Sequence, residues 1–463
     1  MAADRRRPAA KTALADLDAS DARARIGRGE IRSVELVEAC LERIAEREPA
    51  VCAFAHLDRG HALKQAEFLD RYRATGQPLG ALHGVPVGIK DIIDTADMPT
   101  ENGTVLDSGR RPQEDATVVA RLRAAGAVIL GKTVTTELAV YSPGPTRNPH
   151  DPERTPGGSS SGSAAAVAAR MVPLAVGTQT NGSVVRPAAF CGVVGFKPSR
   201  GMISRAGALV QSPILDAVGV FARSVADAAL ICDAIAGHDA RDRATRLAAP
   251  PALSKLAESR PPVQPSLAFV KSPVWDQAEP GTAEAFAELC AELGDDVAEI
   301  DLAAPFAEAH RLHGALMLAD IARNYARYTE RGWDRISERL RGMIEEGRTV
   351  LATDYAEAID RIELLNALLE QVFERFDAIV TPAAPGEAPL GLQSTGSPAF
   401  CTIWTYCGVP AVTLPLLVGP NRMPVGVQLV GRRGHDGRLL RTANWLVERL
   451  SQEAGEGAMG ASS

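Results

Sequence analysis

The chain has 463 residues, with 50 Lys and Arg against 57 Asp and Glu and a formal charge of −7. That acidic balance speaks against a broadly basic nucleic-acid-binding surface, and 46% hydrophobic with 23% charged residues excludes a wholly disordered or fibrous chain. Glycine and proline number 41 and 31 beside only 5% aromatics, which points to many turns and to a core filled by Ala, Val and Leu.

The opening residues MAADRRRPAAKTA carry charge with no apolar run behind them, and no long uninterrupted apolar stretch follows, so neither a signal peptide nor a membrane span is expected. A helix is expected from Ser33, an N-cap followed by Val34, Leu36, Val37, Cys40, Leu41 and Ile44 at helical spacing. Short apolar runs bounded by Gly and Pro predict strands at 85–89, 127–130, 172–176 and 193–196, with a helical pattern at 116–125. Strand and helix in alternation imply an α/β protein with a mainly parallel or mixed sheet. The polar, Pro-rich stretch 239–265 reads as an exposed excursion. Beyond it a strand is expected at 267–270, mostly helix over 282–375, and strands again at 378–380, 411–414 and 425–430.

One large domain is expected over 13–450, with flexible tails at 1–12 and 451–463. In the C-terminal tail Gly455, Gly457 and Gly460 spell a dinucleotide fingerprint, but the strand and helix that give that motif meaning are missing from the pattern. Seven cysteines (40, 52, 191, 232, 290, 401 and 407) are scattered without CxxC spacing, so neither a disulfide framework nor a zinc knuckle is signalled. A reducing, cytoplasmic setting with no metal and no cofactor is the expectation.

Glycine is not spread evenly. Residues 156–201, PGGSSSGSAAAVAARMVPLAVGTQTNGSVVRPAAFCGVVGFKPSRG, hold eight glycines, about twice the chain-wide frequency. Two Gly/Ser loops, around Ser159 and Ser183, flank an Ala-rich helical run and a strand, a layout that returns both serines to one end of the sheet. Glycine there allows positive φ and lets backbone N–H groups approach a substrate oxygen. A flexible linker is a poor reading of GGSSSGS, since the tract runs straight into helix and strand. Gly158 to Gly162 fits G-x-S-x-G, yet the preceding NPHDPERTP is polar and proline-broken where a nucleophile elbow needs a strand. The Gly-Lys-Ser/Thr of a phosphate loop is absent as well.

This segment resembles the amidase signature family, in which a Gly/Ser-rich stretch ends in a G-T-x-T-x-G-S loop followed by R-P-A and G-x-x-G-x-K-P. The upstream companion is present as Gly84-Val85-Pro86-Val87-Gly88-Ile89-Lys90-Asp91, and the likeness runs from the first helix to Val430, through TPAAP (381–385) and GVPAVTLPL (408–416). The resemblance implies a single large α/β domain, its mixed β-sheet covered by helices on both faces. It also implies a Ser-cisSer-Lys triad of Lys90, Ser159 and Ser183, with a cis Gly158–Ser159 peptide and no cofactor.

The chemistry of these residue types agrees. A serine hydroxyl needs a base, and none of the chain's 8 His lies in the signature segment. Lysine serves as that base only when burial or neighbours make it neutral, and Lys90 ends the apolar run VPVGI. Ser183 is then expected to attack a carbonyl while its proton passes through Ser159 to Lys90, with the N–H groups of Thr180, Asn181, Gly182 and Ser183 as the oxyanion hole.

Two departures from the family's common GTDTGGSIR stand out. Gln179 replaces the acid and Arg186 sits one position late, which removes the expected acid–arginine pair. Asn181 replaces a glycine, either as an inexpensive non-glycine residue at positive φ or as an amide projecting into the pocket.

The expected activity is hydrolysis of carboxylic amide C–N bonds, with esters, anilides and carbamates or urethanes within reach of the same triad. Trp404 and Tyr406 in QSTGSPAFCTIWTYCG (393–408) are the candidate substrate-binding aromatics, with core packing as the alternative. The expected partner is a small amide, ester or carbamate, not nucleic acid or a membrane, and homodimer assembly is left open. The alternative function is that of an amidotransferase component, releasing ammonia from glutamine within a complex that acts on aminoacyl-tRNA. A binding-only homologue is disfavoured because all three triad residues are present.

Overall fold

The computed structural model describes residues 14–249 and 251–460. Eleven strands form one sheet: β1 (Phe54–Leu57), β2 (Pro86–Lys90), β3 (Val128–Thr133), β4 (Leu174–Gln179), β5 (Val194–Lys197), β6 (Ala217–Ala222), β7 (Leu267–Val270), β8 (Val297–Ile300), β9 (Ala378–Pro382), β10 (Ala411–Val418) and β11 (Pro424–Val430). Their spatial order is β1-β3-β2-β4-β6-β5-β10-β11-β9-β7-β8. β2 runs parallel to β3 and β4, and β7 runs parallel to β8 and β9. The remaining pairs are antiparallel, so the sheet is mixed, as the alternation of elements implied.

Successive side chains in a strand point to opposite faces, which is why single strands feed two cores. In β3, Ile129 joins one buried cluster while Val128 and Leu130 join another. In β9, Ala378 and Val380 fall on one side and Ile379 on the other. Helices Val225–Ile235 and Asp436–Gly460 supply the first face; Ser33–Val51, Ser161–Ala168 and Ala309–Asn324 supply the second. This is the α/β domain with both faces covered that the resemblance implied.

The strands expected from apolar runs are present, and three others were not legible as such. β1 and β8 are four-residue edge strands with exposed positions, and β8 interrupts the stretch 282–375 that reads as helical. β6 (AVGVFA) is fully buried between β4 and β5. Helix Asp436–Gly460 continues through most of the segment expected to be a C-terminal tail, because Gln452, Glu453, Ala454 and Ala458 are helix-favouring residue types that offset the glycines. The N-terminal tail expected over 1–12 lies outside the described residues. The 239–265 excursion is tied down: Arg205 pairs with Asp242 at 2.7 Å, and helix Leu253–Ala257 buries Leu253 and Ala257. All seven cysteines are free. Among the described residues, no helix is long and apolar enough to cross a membrane.

Candidate active site

Three segments converge at the carboxyl ends of β2 and β4. Lys90 is the last residue of β2 and is fully buried. Its Nζ donates to Ser159 Oγ at 2.7 Å and to Thr178 Oγ1 at 2.9 Å. Burial holds this amine well below the ordinary lysine range, and the one charge opposing that shift is Asp216.

Ser159 lies in the turn before helix Ser161–Ala168, and the Gly158–Ser159 peptide is cis. The serine run is anchored rather than loose. Ser160 Oγ donates to Thr178 O (3.1 Å) and accepts from Thr178 N (3.2 Å), Ser161 Oγ donates to Val134 O (3.3 Å), and Ser163 Oγ lies 2.7 Å from Thr133 Oγ1. Gly162 is required by close approach, since a Cβ there would sit 2.2 Å from Ala53 O. The GGSSSGS tract is therefore stitched into β3 and β4 and does not act as a linker.

Ser183 closes the loop after β4, and its carbonyl accepts from Ser160 N at 3.4 Å. Among the described residues its hydroxyl has no hydrogen-bond partner, and the N–H groups of Thr180, Asn181, Gly182 and Ser183 have no acceptor. Thr180, Asn181 and Ser183 are each at most 8% exposed. Unused buried donors are uncommon in folded proteins, and four in succession leave this loop with free hydrogen-bonding capacity. Only Gly182 needs positive φ there, at 82°.

Asn181 has ordinary backbone, which removes the positive-φ explanation for its presence. Its Nδ2 donates to Tyr141 Oη at 3.1 Å and its Oδ1 accepts from Thr402 Oγ1 at 2.9 Å. The amide thus spans from Tyr141 to helix Ala399–Cys407 and forms part of the wall around the loop.

Gln179 accomplishes with a neutral amide what a carboxylate oxygen would do. Its Oε1 accepts from Val184 N (2.8 Å) and Val185 N (3.0 Å) at the start of helix Val185–Cys191, while Nε2 donates to Thr405 Oγ1 (2.9 Å). Arg186, released from an acid partner, donates through Nη2 to Gly158 O (2.7 Å) and Thr395 Oγ1 (3.1 Å). The guanidinium therefore braces the peptide that carries Ser159.

Helix Ala399–Cys407 meets the loop through Thr402 and Thr405. Trp404 and Tyr406 are both 1% exposed in the apolar cluster. The Tyr406 hydroxyl donates to Ala358 O, and its ring meets His313 edge-on at 6.5 Å between centroids. The structure thus gives these aromatics core positions. A cavity of about 220 Å³ reaches the loop after β4 at Thr178 and Thr180 and is lined also by Ile92, Ala139, Leu209 and Asp216.

Sequence reasoning did not single out Thr178, Tyr141, Arg186, Asp216 or His313 as site residues in these contacts. In the sequence Arg186 stands out only by its displaced position and Thr178 only as part of the loop motif, while Tyr141, Asp216 and His313 carry no motif.

This mixed eleven-stranded sheet, with a buried lysine–serine contact at the end of β2, is the fold of the amidase class. The family model described as Amidase matches residues 35–440, and the chain belongs to that family. Among curated relatives, a glutamyl-tRNA(Gln) amidotransferase subunit of Symbiobacterium thermophilum is 37% identical, over 92% of this chain and 94% of that protein. Among solved structures, native peptide amidase from Stenotrophomonas maltophilia aligns with a TM-score of 0.81 at 30% identity, covering 95% of this chain and 98% of that one. The structure of 6-aminohexanoate cyclic dimer hydrolase complexed with substrate aligns with a TM-score of 0.83 at 28% identity, covering 94% and 97%.

Proposed function

We propose that this amidase-family enzyme hydrolyses carboxylic amides through an acyl-enzyme on Ser183, with Ser159 and Lys90 as its proton relay. The observation that carries the reading is the buried Lys90 Nζ, 2.7 Å from Ser159 Oγ, beside a loop of four free amides. Neutral Lys90 accepts the Ser159 proton as Ser159 takes the proton of Ser183, and Ser183 Oγ bonds to the carbonyl carbon. The resulting oxyanion is received by the N–H groups of residues 180–183, each donor contributing about 3 kcal/mol to the transition state. Collapse breaks the C–N bond, and the relay run backwards delivers the proton to the leaving amine. Water then repeats the sequence and releases the acid and free Ser183.

The substrate class is a non-peptide amide, with anilides, esters and urethanes sharing the same carbonyl chemistry. The cavity at Thr178 and Thr180 is the pocket proposed to hold it, in a cytoplasmic enzyme needing no cofactor. The second reading, an ammonia-releasing component of an amidotransferase, is favoured by the 37% identity to the glutamyl-tRNA(Gln) amidotransferase relative. Both readings use the same nucleophile and differ in the fate of the amine. Sizing chromatography of the purified chain, with assays on an anilide panel and on glutamine, separates them. Anilide hydrolysis by the isolated chain supports the hydrolase; activity on glutamine alone, appearing only with partner proteins, supports the amidotransferase.

A further inference from the structure

Thr180 is gripped at both ends by groups outside the proposed relay. Its Oγ1 donates to Asp216 Oδ1 at 2.5 Å, and its carbonyl accepts from His313 Nε2 at 3.0 Å. Neither grip is loose. The second carboxylate oxygen of Asp216 accepts from Gln211 N (2.9 Å) and Ser212 N (3.0 Å), and Ser212 Oγ donates to Asp320 Oδ2 at 2.5 Å. His313 and Asp320 lie on the same helix, Ala309–Asn324, so one helix backs both sides of the clamp.

We propose that Asp216 is a positioning residue for the reaction at Ser183, fixing the oxyanion loop through Thr180. The inference rests on the assignment of Lys90 and Ser183 made above.

The physical case has two parts. Thr180 opens the run of four free amides, and a small displacement of such donors weakens every bond they make to the developing oxyanion. A carboxylate accepting one O–H and two N–H bonds is a stiff anchor for that run, and a neutral His313 completes it, since burial pushes the imidazole down to about 4.

The second part concerns Lys90. The relay needs an amine that is neutral before attack yet takes a proton during it, so its proton affinity must be low without being negligible. Burial pulls it down, and Asp216 is the charge that pulls it back up. Burial raises Asp216 itself to about 6, against the three donors and Arg205, which hold it toward the charged form. Beyond its three hydrogen-bond donors, the charged groups acting on the carboxylate are Lys90 from β2 and Arg205, which is engaged with Asp242.

The test is the pH dependence of kcat/KM for Asp216→Asn, with Thr180→Val and Thr180→Ser beside it, using a chromogenic amide that wild type hydrolyses. Removing the carboxylate charge leaves Lys90 easier to deprotonate, so the acidic limb of the profile moves to lower pH by about one unit. In the same variant kcat falls roughly tenfold to a hundredfold with KM little changed, as for a misplaced donor set. Thr180→Val loses kcat comparably and Thr180→Ser, which keeps the hydroxyl, recovers it. Wild-type kcat in Asp216→Asn overturns the proposal, as does a Thr180→Ser variant no more active than Thr180→Val. Should that variant not fold, wild-type kcat in Thr180→Val overturns it instead. Lys90→Met and Ser183→Ala in the same assay keep the two failures apart: turnover in either breaks the relay assignment, whereas silence in both with wild-type kcat in Asp216→Asn breaks only this proposal.

Discussion

Lys90 Nζ lies 2.7 Å from Ser159 Oγ with a second hydrogen bond to Thr178 Oγ1, and among the described residues no carboxylate pairs with it. Burial without an ion-pair partner holds this amine well below the ordinary lysine range, the direction a base role needs.

That state has a consequence for stability. In the unfolded chain the amine has its ordinary value near 10.5, and in the folded protein a lower one. Between the two, the unfolded state binds the extra proton, so stability rises with pH across that window. Lys90→Met removes the linkage. The variant is expected to unfold at a higher temperature than wild type near neutral pH and to lose that advantage as pH approaches 10.5, while turning over no amide. Thermal unfolding at several pH values checks this, and a pH-independent difference would contradict the neutral-lysine assignment.

The neighbouring serines are expected to separate by role. Ser160 bonds only the backbone of Thr178 in the described contacts of its hydroxyl. Ser160→Ala leaves the part-buried N–H and C=O of Thr178 without these bonds and should lose about 2–3 kcal/mol of stability while keeping its turnover. Ser159→Ala should fold normally and lose turnover. Reversal of that pattern in steady-state kinetics would favour an elbow-type nucleophile at Ser160.

Gln179 holds two buried N–H groups, those of Val184 and Val185. Gln179→Leu leaves both unpartnered and is expected to destabilise by about 3 kcal/mol. The readout is a lowered urea midpoint at unchanged slope.

Asn181 is tied to Tyr141 and Thr402, so its replacement changes the wall of the site without altering the nucleophile. Asn181→Gly is expected to shift the ratio of kcat/KM between bulky and small amides. Equal ratios in variant and wild type would make the residue a neutral substitution.

Much of the sheet was legible because its strands are apolar runs punctuated by Gly and Pro, as in β2, β3, β10 and β11. β8 escaped since VAEI at an edge carries exposed Glu299 and resembles the helices around it. Lys90, Ser159 and Ser183 were reachable through ordered motifs, whose local spacing survives folding. Asp216 and His313 were not, because each reaches Thr180 across an unrelated segment, and no periodicity records such a contact. Trp404 and Tyr406 attracted attention as aromatics in a chain with few. Residue type alone could not tell a pocket wall from a core, and the polar neighbours Thr402 and Thr405 are what touch the loop.

Acylation of Ser183 is tested most directly by intact-protein mass spectrometry with peptide mapping after brief reaction with an activated, slowly deacylating carbamate. The expected result is one added acyl mass located on Ser183 and absent from Ser183→Ala. An adduct on Ser160, or amide turnover persisting in Ser183→Ala, would contradict it.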